Sequence, residues 1–358
     1  MTSLNRQITL ASRPVGLPKV SDFQLAYTVL PLPAESQVLV RSVYLSLDPH
    51  MREGMSDEPS CGGSVAIGEV MPGRAVGVVV ESNDSSFSAG DTVEGMFGWQ
   101  EYAVAGAVDT RKLDPEAAPI TTALGVLGMP GLTAYFGFLD ICNPQPGDTV
   151  VISGASGAIG MLVGQIAKIK GCRVVGVSGS GTKVAWLRDE LGFDAAITYT
   201  TATDFAEQLR EACPGGIDIY FDSVGGAISD AVIGLINVKA RIAVCGQSSR
   251  YDTETPELGP RWLNELLVKR ARAEGFLVSR YSERFAEARE QLATWLKAGR
   301  LMYREDVAQG LESTPQAFIE LLQGRNGGKR LVQLSDLQPD AAIFSRDSGS
   351  RPGSISLA

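Results

Sequence analysis

The sequence is poor in the residues that bind zinc. It contains one histidine, His50, among 358 residues, and its five cysteines include no Cys-x-x-Cys pair. A catalytic zinc needs three His, Cys or carboxylate ligands, and a structural zinc commonly takes four closely spaced ligands. Neither spacing is present. We therefore expect no metal, and no metal-derived Lewis acid to polarise a substrate carbonyl.

Surplus positive charge, paired cysteines and long apolar runs are also missing. The net charge of −9 leaves no basic surplus for binding nucleic acid. Scattered cysteines in odd number are typical of reduced cytoplasmic thiols and not of a disulfide framework. No apolar run approaches the roughly 18 residues that a membrane span needs, and the N-terminus lacks an apolar signal core. We expect a cytoplasmic protein that binds neither nucleic acid nor membrane.

Glycine is plentiful, and three glycines mark the stretch on which the interpretation depends. Residues 148–160 read DTVVISGASGAIG, a β-branched strand run followed by a turn, and a stretch of helical composition comes next. Strand, glycine turn and helix together aim backbone N–H groups at a pyrophosphate. The usual GxGxxG fingerprint has Ala155 in place of its first glycine and keeps Gly157 and Gly160. The pattern favours a dinucleotide site over its alternative, a purely structural turn.

Two kinds of pattern divide the chain. Residues 1–127 contain short β-like runs between turn residues, including one at 99–104, which predicts a mostly antiparallel β-rich catalytic domain. Residues 128–299 alternate strands with helices, and the sixth strand is predicted at 273–278. Six such strands complete a Rossmann-type, doubly wound parallel sheet. The fold class is therefore α/β, with an NADP-binding Rossmann domain beside the catalytic domain.

The end of the chain is predicted to leave the nucleotide domain. Residues 300–334 form a return segment to the catalytic domain. Residues 335–358 are polar and aperiodic, which indicates a loosely held tail.

The end of the second predicted strand indicates which dinucleotide binds. An NAD site usually carries Asp or Glu there, about 20 residues past the glycines, to bond the ribose hydroxyls. Here the sequence from Val177 to Lys183 has no carboxylate, and Lys183 can pair with a 2′-phosphate. NADPH is therefore favoured. The alternative is that Lys183 is simply a solvated residue in the first turn of a helix.

Five motifs occur in a fixed order and carry a family resemblance. They are, in chain order, DPHMR at 48–52, MPGLTAYFGF at 129–138, GASGAIG at 154–160, FDSVGG at 221–226 and EGFLV at 274–278. Together they resemble the zinc-free branch of the medium-chain dehydrogenase/reductase superfamily. Within it the chain is similar to the leukotriene B4 12-hydroxydehydrogenase/15-oxoprostaglandin 13-reductase family, with the plant alkenal double-bond reductases and bacterial curcumin reductase. The resemblance implies a GroES-like catalytic domain, a homodimer and NADPH-dependent reduction of carbon–carbon double bonds.

The resemblance also implies roles for individual residues. Two positions depart from the family pattern, because Ser223 replaces the usual Asn and His50 replaces the usual Tyr. The implied cofactor residues are Gly157, Ala158, Ile159 and Gly160 on the pyrophosphate, Lys183 and Tyr199 beside the 2′-phosphate, Ser223 in FDSVGG, Cys245, Gly246, Ser248 and Tyr251 along the nicotinamide ribose, Phe276 and Val278 near the nicotinamide, and Asn326 closing over the cofactor.

Two residues are candidates for the chemistry itself. Hydride transfer to the β-carbon of an enone or enal places negative charge on the carbonyl oxygen, and donors aimed at that oxygen lower the barrier. Tyr251 follows the fifth strand, at the carboxyl end of the sheet where ligands bind. His50 offers an imidazole whose charge can change near neutral pH. The alternatives are an aromatic packing role for Tyr251 and a backbone-bonded loop histidine at position 50.

Two rival functions remain open from the sequence. A quinone reductase on the same fold would use the same cofactor. A non-enzymatic NADPH-binding protein would need the cofactor site but no donors for an enolate.

Overall fold

Three β-sheets organise the residues that the computed structural model describes, which are 4–57, 63–199, 204–251 and 258–337. A two-stranded and a seven-stranded sheet contain the strands of the N-terminal half, and a six-stranded sheet contains those of the central part. Nearly all of the predicted polar tail lies outside the described residues.

The first domain is built mainly from antiparallel strands, as predicted. The strand predicted at 99–104 starts later, because Gly98 turns the chain with φ +76° and the backbone of Trp99 bonds elsewhere. The Trp99 N–H donates to Met71 O and its carbonyl accepts from Ile8 N–H, both at 2.8 Å. The elements are β1 (Leu4–Leu10), β2 (Phe23–Val29), β3 (Gln37–Ser46), α1 (Met51–Gly54), β4 (Ala75–Ser82), β5 (Thr92–Gly95), β6 (Tyr102–Gly106) and β7 (Arg111–Lys112).

The second domain contains six parallel strands, which confirms the doubly wound fold. Its sheet has the order β10-β9-β8-β11-β12-β13, so the strand that comes first along the chain lies at the centre. The elements are α2 (Met129–Phe136), a π-helical continuation (Gly137–Cys142), β8 (Thr149–Ser153), α3 (Gly160–Ile169), β9 (Arg173–Ser178), α4 (Gly181–Asp189), β10 (Ala195–Thr198), α5 (Phe205–Ala212), β11 (Ile217–Asp222), α6 (Gly226–Ile233), β12 (Ile236–Val244), α7 (Leu263–Lys269), β13 (Arg272–Gly275) and α8 (Phe285–Lys297).

The central strand β8 has the burial that its sequence predicts. All five of its residues are buried, because helices cover both faces of the sheet. Helix α3 lies close to the sheet at Gly164, where a Cβ would stand 1.9 Å from Cζ of Phe193. The predicted sixth strand is shorter than expected. It ends at Gly275, and Val278 begins a 3₁₀ helix that extends to Arg284.

The last elements of the described chain extend the sheet of the first domain. They are β14 (Glu305–Gln309), α9 (Thr314–Leu322) and β15 (Lys329–Gln333). Strand β15 pairs antiparallel with β3 and parallel with β14. Helices of membrane-spanning length and apolarity do not occur in the part of the chain that the structure describes.

Candidate active site

The order of strands in the parallel sheet reverses between β8 and β11. Strand β8 continues to β9 on one side, and β11 continues to β12 on the other. The connections at the carboxyl ends of these two strands therefore diverge and leave a crevice, which is where such sheets bind dinucleotides. We call it the switch-point crevice. The glycine turn after β8 and the FDSVGG turn after β11 border it.

The glycine turn brings the N-terminus of α3 to this crevice. Gly157 donates its backbone N–H to Gly154 O at 2.9 Å. A Cβ on Gly160 would lie 2.5 Å from Gly154 O, so a larger residue would open the turn. Ala158 and Ile159 complete the connection, with Ile159 at the N-cap of α3. The turn has the form that receives a pyrophosphate at a helix N-terminus.

The structure explains why alanine is tolerated at the first position of the fingerprint. Ala155 is fully buried and donates its N–H to Val177 O at 3.0 Å. On the neighbouring strand, a Cβ added to Gly176 would stand only 3.1 Å from Cβ of Ala155. The space that the fingerprint glycine normally leaves is therefore supplied by a glycine on β9.

The predicted 2′-phosphate residues lie together at the end of β9. Ser180 caps α4 by accepting the Lys183 N–H at 3.4 Å. The Tyr199 hydroxyl lies 3.3 Å from the position of a Cβ on Gly179, and 44% of Tyr199 is exposed. Lys183 is partly buried and donates from Nζ to Gly324 O at 2.6 Å. Burial lowers the pKa of Lys183, an effect that Asp306 opposes.

A buried carboxylate, Asp222, holds the turns on the β11 side of the crevice. It accepts six hydrogen bonds through its two oxygens, at 2.8 to 3.1 Å. The donors are Ser153 Oγ, Tyr220 OH, Ser229 Oγ, Gln247 Nε2 and the backbone N–H groups of Val224 and Gly225. Charge-assisted bonds of this kind are among the stronger ones in proteins. Asp222 therefore fixes β8, β11, α6 and the loop after β12 relative to one another.

The loop after β12 contains most of the residues predicted along the nicotinamide ribose. Cys245 N–H and Gly246 N–H both donate to the carbonyl of Asp222, at 2.7 and 3.2 Å, and Ser248 N–H donates to Ser223 O at 3.4 Å. Tyr251 folds back, so that its hydroxyl lies 3.6 Å from the Cβ position of Gly246. The loop is thus held against the FDSVGG turn, as the predicted site requires.

Two serine hydroxyls at this loop fit a polar ligand. Ser249 Oγ is buried and has no hydrogen-bond partner among the described residues, and buried polar atoms are normally paired. Ser223 Oγ faces the thiol of Cys245. Burial raises the pKa of that thiol to about 12, so Cys245 lines the site as an uncharged thiol and does not act as a nucleophile. A dinucleotide with ribose hydroxyls matches these groups.

Phe276 is buried and Val278 is partly buried, next to the core of the nucleotide domain. Phe276 is 9% exposed and packs edge to face on Phe221, with ring centroids 6.4 Å apart. Its ring also packs against the π-helical continuation of α2, where a Cβ at Gly137 would stand 2.4 Å from Cζ. Val278 packs against the same core cluster. Their contact with a nicotinamide stays a prediction.

The catalytic domain contributes His50 from the loop after β3. His50 is exposed at the N-cap of α1, two residues after Asp48. Asp48 accepts hydrogen bonds from Ser46 Oγ at 2.6 Å and from the buried Lys329 at 2.5 Å. Burial would raise the pKa of Asp48, but attraction to Lys329 and His50, with these hydrogen bonds, holds that pKa below its usual value.

Asn326 lies on the loop that leads from α9 into β15. It is 8% exposed, and its Nδ2 donates to Gly328 O at 2.6 Å. The side chain therefore shapes its own loop, and its predicted position over the cofactor stays a prediction.

Asp222, Gln247 and Lys329 are site residues that the sequence analysis did not single out. Asp222 had a usable signal, because it is a carboxylate that ends the apolar run of β11 at the ligand-binding edge. Lys329 had none, because nothing in GRNGGK indicates that its lysine is buried beside a residue 281 positions earlier.

Within the described ranges, no group of three or more His, Cys, Asp or Glu side chains is placed to hold a metal ion. The chain has a doubly wound nucleotide domain, an antiparallel β domain and a switch-point crevice between β8 and β11. These features define a dinucleotide-dependent oxidoreductase of the medium-chain type.

Comparison with known proteins places the chain within that class. Family profiles match at residues 6–113, described as the N-terminal domain of oxidoreductase, and at 158–294, described as zinc-binding dehydrogenase. A putative NADP-dependent oxidoreductase, YfmJ of Bacillus subtilis strain 168, is 48% identical over 94% of this chain and 99% of its own length. The NADPH-dependent curcumin reductase of Escherichia coli strain K12 is 47% identical over 92% and 97%.

A solved structure agrees with these relatives. The crystal structure of CurA in complex with NADPH from Vibrio vulnificus superposes with a TM-score of 0.89, at 46% identity, covering 92% of this chain and 99% of that one. The chain belongs to the zinc-free branch of the medium-chain dehydrogenase/reductase superfamily, a branch of NADP-dependent oxidoreductases.

Proposed function

We propose that this chain is an NADPH-dependent ene reductase, which saturates the carbon–carbon double bond of α,β-unsaturated ketones and aldehydes without zinc. The observation that carries the proposal is the end of β9, where Lys183 and Tyr199 border a turn that contains no carboxylate. A site of this kind favours a phosphorylated dinucleotide, because no acid repels the 2′-phosphate. The relative from Escherichia coli is a curcumin reductase that depends on NADPH.

Different residues of the crevice are proposed to bind different parts of NADPH, which supplies the hydride when bound. The turn from Gly157 to Gly160 offers backbone N–H groups and a helix N-terminus to the pyrophosphate. Lys183 donates charge-assisted hydrogen bonds to the 2′-phosphate. Ser223 and the loop from Cys245 to Tyr251 line the nicotinamide ribose, held in place by Asp222.

Two side chains are proposed to stabilise the charge that develops on the substrate. Hydride addition at the β-carbon leaves negative charge on the carbonyl oxygen, which a preorganised donor stabilises selectively. Tyr251 offers its phenol from the nucleotide domain, and His50 offers its imidazole from the catalytic domain. Either group can hold a proton near that oxygen until the α-carbon is protonated.

The assembled form is proposed to be a cytoplasmic homodimer. Strand β13 is an edge of the parallel sheet in this chain and pairs with β12 on one side. Helix α7, which packs against β12, exposes Leu263 and Leu267 at 78% and 76%. A strand edge that no other described strand covers, near exposed apolar side chains, is a surface that a second copy can cover. Cys142, Cys172 and Cys213 are buried free thiols, as expected in a reducing compartment.

Oxidation of NADPH on addition of an electrophile tests the activity. We expect absorbance of the reduced cofactor to fall with 4-hydroxynonenal or 1-octen-3-one, and more slowly with NADH than with NADPH. Benzoquinone serves as the comparison substrate. NADPH oxidation with benzoquinone but with none of a panel of enones would support the quinone reductase instead. No NADPH oxidation with either kind of substrate would support a non-enzymatic NADPH-binding protein.

A further inference from the structure

One short segment contacts both halves of the proposed site. We call residues Gly324–Lys329, which lead from α9 into β15, the connecting loop. At its start, the carbonyl of Gly324 accepts a hydrogen bond from Lys183 Nζ at 2.6 Å. Lys183 lies in the nucleotide domain, 141 residues earlier, at the proposed 2′-phosphate position. The start of the loop is therefore attached to the residue that distinguishes NADPH from NADH.

The middle of the connecting loop is anchored at two of its residues. Asn326 is buried and donates to Gly328 O at 2.6 Å, and Gly327 N–H donates to Asp306 Oδ2 at 2.9 Å. At Gly328 a Cβ would stand 2.3 Å from the carbonyl oxygen of Arg304, the residue before β14, so the backbone at Gly328 cannot shift in that direction. Gly324 itself is exposed, and these contacts connect it to the buried end of the loop.

The end of the connecting loop contacts the catalytic domain. Lys329 is 4% exposed, and its Nζ donates to Leu47 O at 3.0 Å and to Asp48 Oδ1 at 2.5 Å. Asp48 in turn accepts from Ser46 Oγ. His50 follows two residues later at the N-cap of α1. The position of the His50 loop is therefore tied to Lys329 through an ion pair whose lysine is buried.

We propose that the connecting loop carries occupancy of the 2′-phosphate position to the His50 loop, with Lys329 as a positioning residue. NADPH is then distinguished from NADH in turnover as well as in binding. The inference rests on the proposed function, because it needs the 2′-phosphate at Lys183. An ammonium group has three N–H donors, so Lys183 can hold Gly324 O and phosphate oxygens together. A phosphate bound there fixes the Gly324 carbonyl relative to the nucleotide domain.

Amide hydrogen exchange tests the coupling without any turnover. The probes are adenosine 2′,5′-bisphosphate and 5′-AMP, which differ by the 2′-phosphate. We expect the bisphosphate alone to slow exchange in residues 324–329 and in residues 46–55, each by about fivefold or more. Lys183→Met should remove both effects. Coupling energy of this kind must be measured and not assumed from contacts.

The double variant Asp48→Asn/Lys329→Met tests whether the effect of the bound 2′-phosphate reaches the His50 loop through this ion pair, independently of bisphosphate binding. It removes both charges of the pair, which avoids leaving one buried charge unpaired. We expect it to bind the bisphosphate as the wild type does and to keep protection at 324–329, while protection at 46–55 is lost. Lys168→Met, whose lysine pairs with Asp194 away from the crevice, should behave as the wild type. Protection at 46–55 that survives in the double variant would overturn the inference.

The rate of enone reduction with NADH, measured with and without inorganic phosphate, tests the effect on turnover. NADH leaves the 2′-phosphate position free, so added phosphate should raise the single-turnover rate of enone reduction by about fivefold or more, with chloride as the ionic-strength control. The double variant should show no such rise. Two outcomes would overturn the inference and leave the proposed function standing. One is bisphosphate binding that does not slow amide exchange at 46–55, and the other is a single-turnover rate with NADH that phosphate does not change. A wild type that does not bind the bisphosphate overturns the proposed cofactor site, and the inference with it.

Discussion

Ser153 Oγ donates a hydrogen bond of 3.0 Å to Oδ1 of Asp222, and this bond joins the ends of β8 and β11 where the strand order reverses. The same serine oxygen accepts the backbone N–H groups of Ser223 and Val224, at 2.8 and 3.2 Å. The two strands that border the crevice are therefore linked by side chains as well as by the sheet. We expect the width of the crevice to depend on this pair.

Replacing the carboxylate of Asp222 tests that dependence. Asp222→Asn places an amide where six donors converge, so several donors lose their acceptor. We expect the free energy of unfolding to fall by about 3 kcal/mol, and the KM for NADPH to rise. Urea unfolding and steady-state kinetics measure the two effects.

A second aspartate on the same strand provides the control. Asp218 lies near the other end of β11 and accepts from Thr149 N–H and Asn237 Nδ2, both at 2.8 Å. Asp218→Asn should reduce stability and leave the KM for NADPH unchanged. An equal rise in KM for both variants would show that Asp222 acts only through overall stability.

The sequence predicted the features that depend on local pattern. The β-branched run of β8, its glycine turn and the missing acid after β9 each follow from a few consecutive residues, and together they indicated the doubly wound sheet and the NADP site. The compensation at Gly176 was not predictable, because it requires knowing that β9 lies beside the turn after β8.

The sequence could not predict the polar contacts between distant segments. Asp222 contacts Gln247, and Lys329 contacts Asp48, only after the strands have paired. The spacing of these residues along the sequence therefore does not predict either contact. The error at residues 99–104 has the same origin. Trp99 has high strand propensity, but its backbone bonds to Met71 and Ile8, partners that the local sequence does not indicate.

Gly160 tests the glycine turn. In Gly160→Ala the added Cβ would stand 2.5 Å from Gly154 O and 2.7 Å from Cα of Ala155, both backbone atoms that cannot move without opening the turn. We expect loss of NADPH affinity together with a lower melting temperature. Gly215→Ala is the matched control, because nothing lies within 4 Å of its Cβ position. Unchanged NADPH affinity in Gly160→Ala would exclude the turn as the pyrophosphate site.

Lys183 tests the choice of cofactor. Lys183→Met removes the charge proposed to pair with the 2′-phosphate and keeps much of the side-chain volume. We expect the KM for NADPH to rise about 10- to 100-fold, with little change for NADH, because a hydrogen bond to a charged group contributes about 1.5–3 kcal/mol. Lys170→Met, at the exposed C-cap of α3, is the control. Equal losses for both cofactors would place Lys183 outside the 2′-phosphate site.

The Asp48–Lys329 pair predicts a dependence of stability on pH. Burial raises the pKa of Asp48, but Lys329, His50 and the hydrogen bonds outweigh it, so the folded-state pKa lies below the unfolded one. Such a carboxyl stabilises the fold above its unfolded pKa and loses that contribution as pH falls through the folded value. Asp48→Asn should be less stable at neutral pH and should lose less stability on acidification. Urea unfolding at several pH values measures this, and parallel curves for the two proteins would contradict it.

His50 is the side chain that the catalytic domain contributes to the proposed site. Its imidazole is exposed at the N-cap of α1. If it donates to the substrate oxygen, the rate of enone reduction should depend on a donor at position 50. In His50→Tyr activity should be kept, since a phenol is also a donor. In His50→Ala the rate should fall by about 10- to 100-fold. Tyr251→Phe, measured in parallel by NADPH oxidation, removes the other donor and should lower the rate independently. Equal rates in wild type, His50→Tyr and His50→Ala would leave Tyr251 as the donor and assign His50 to the loop alone.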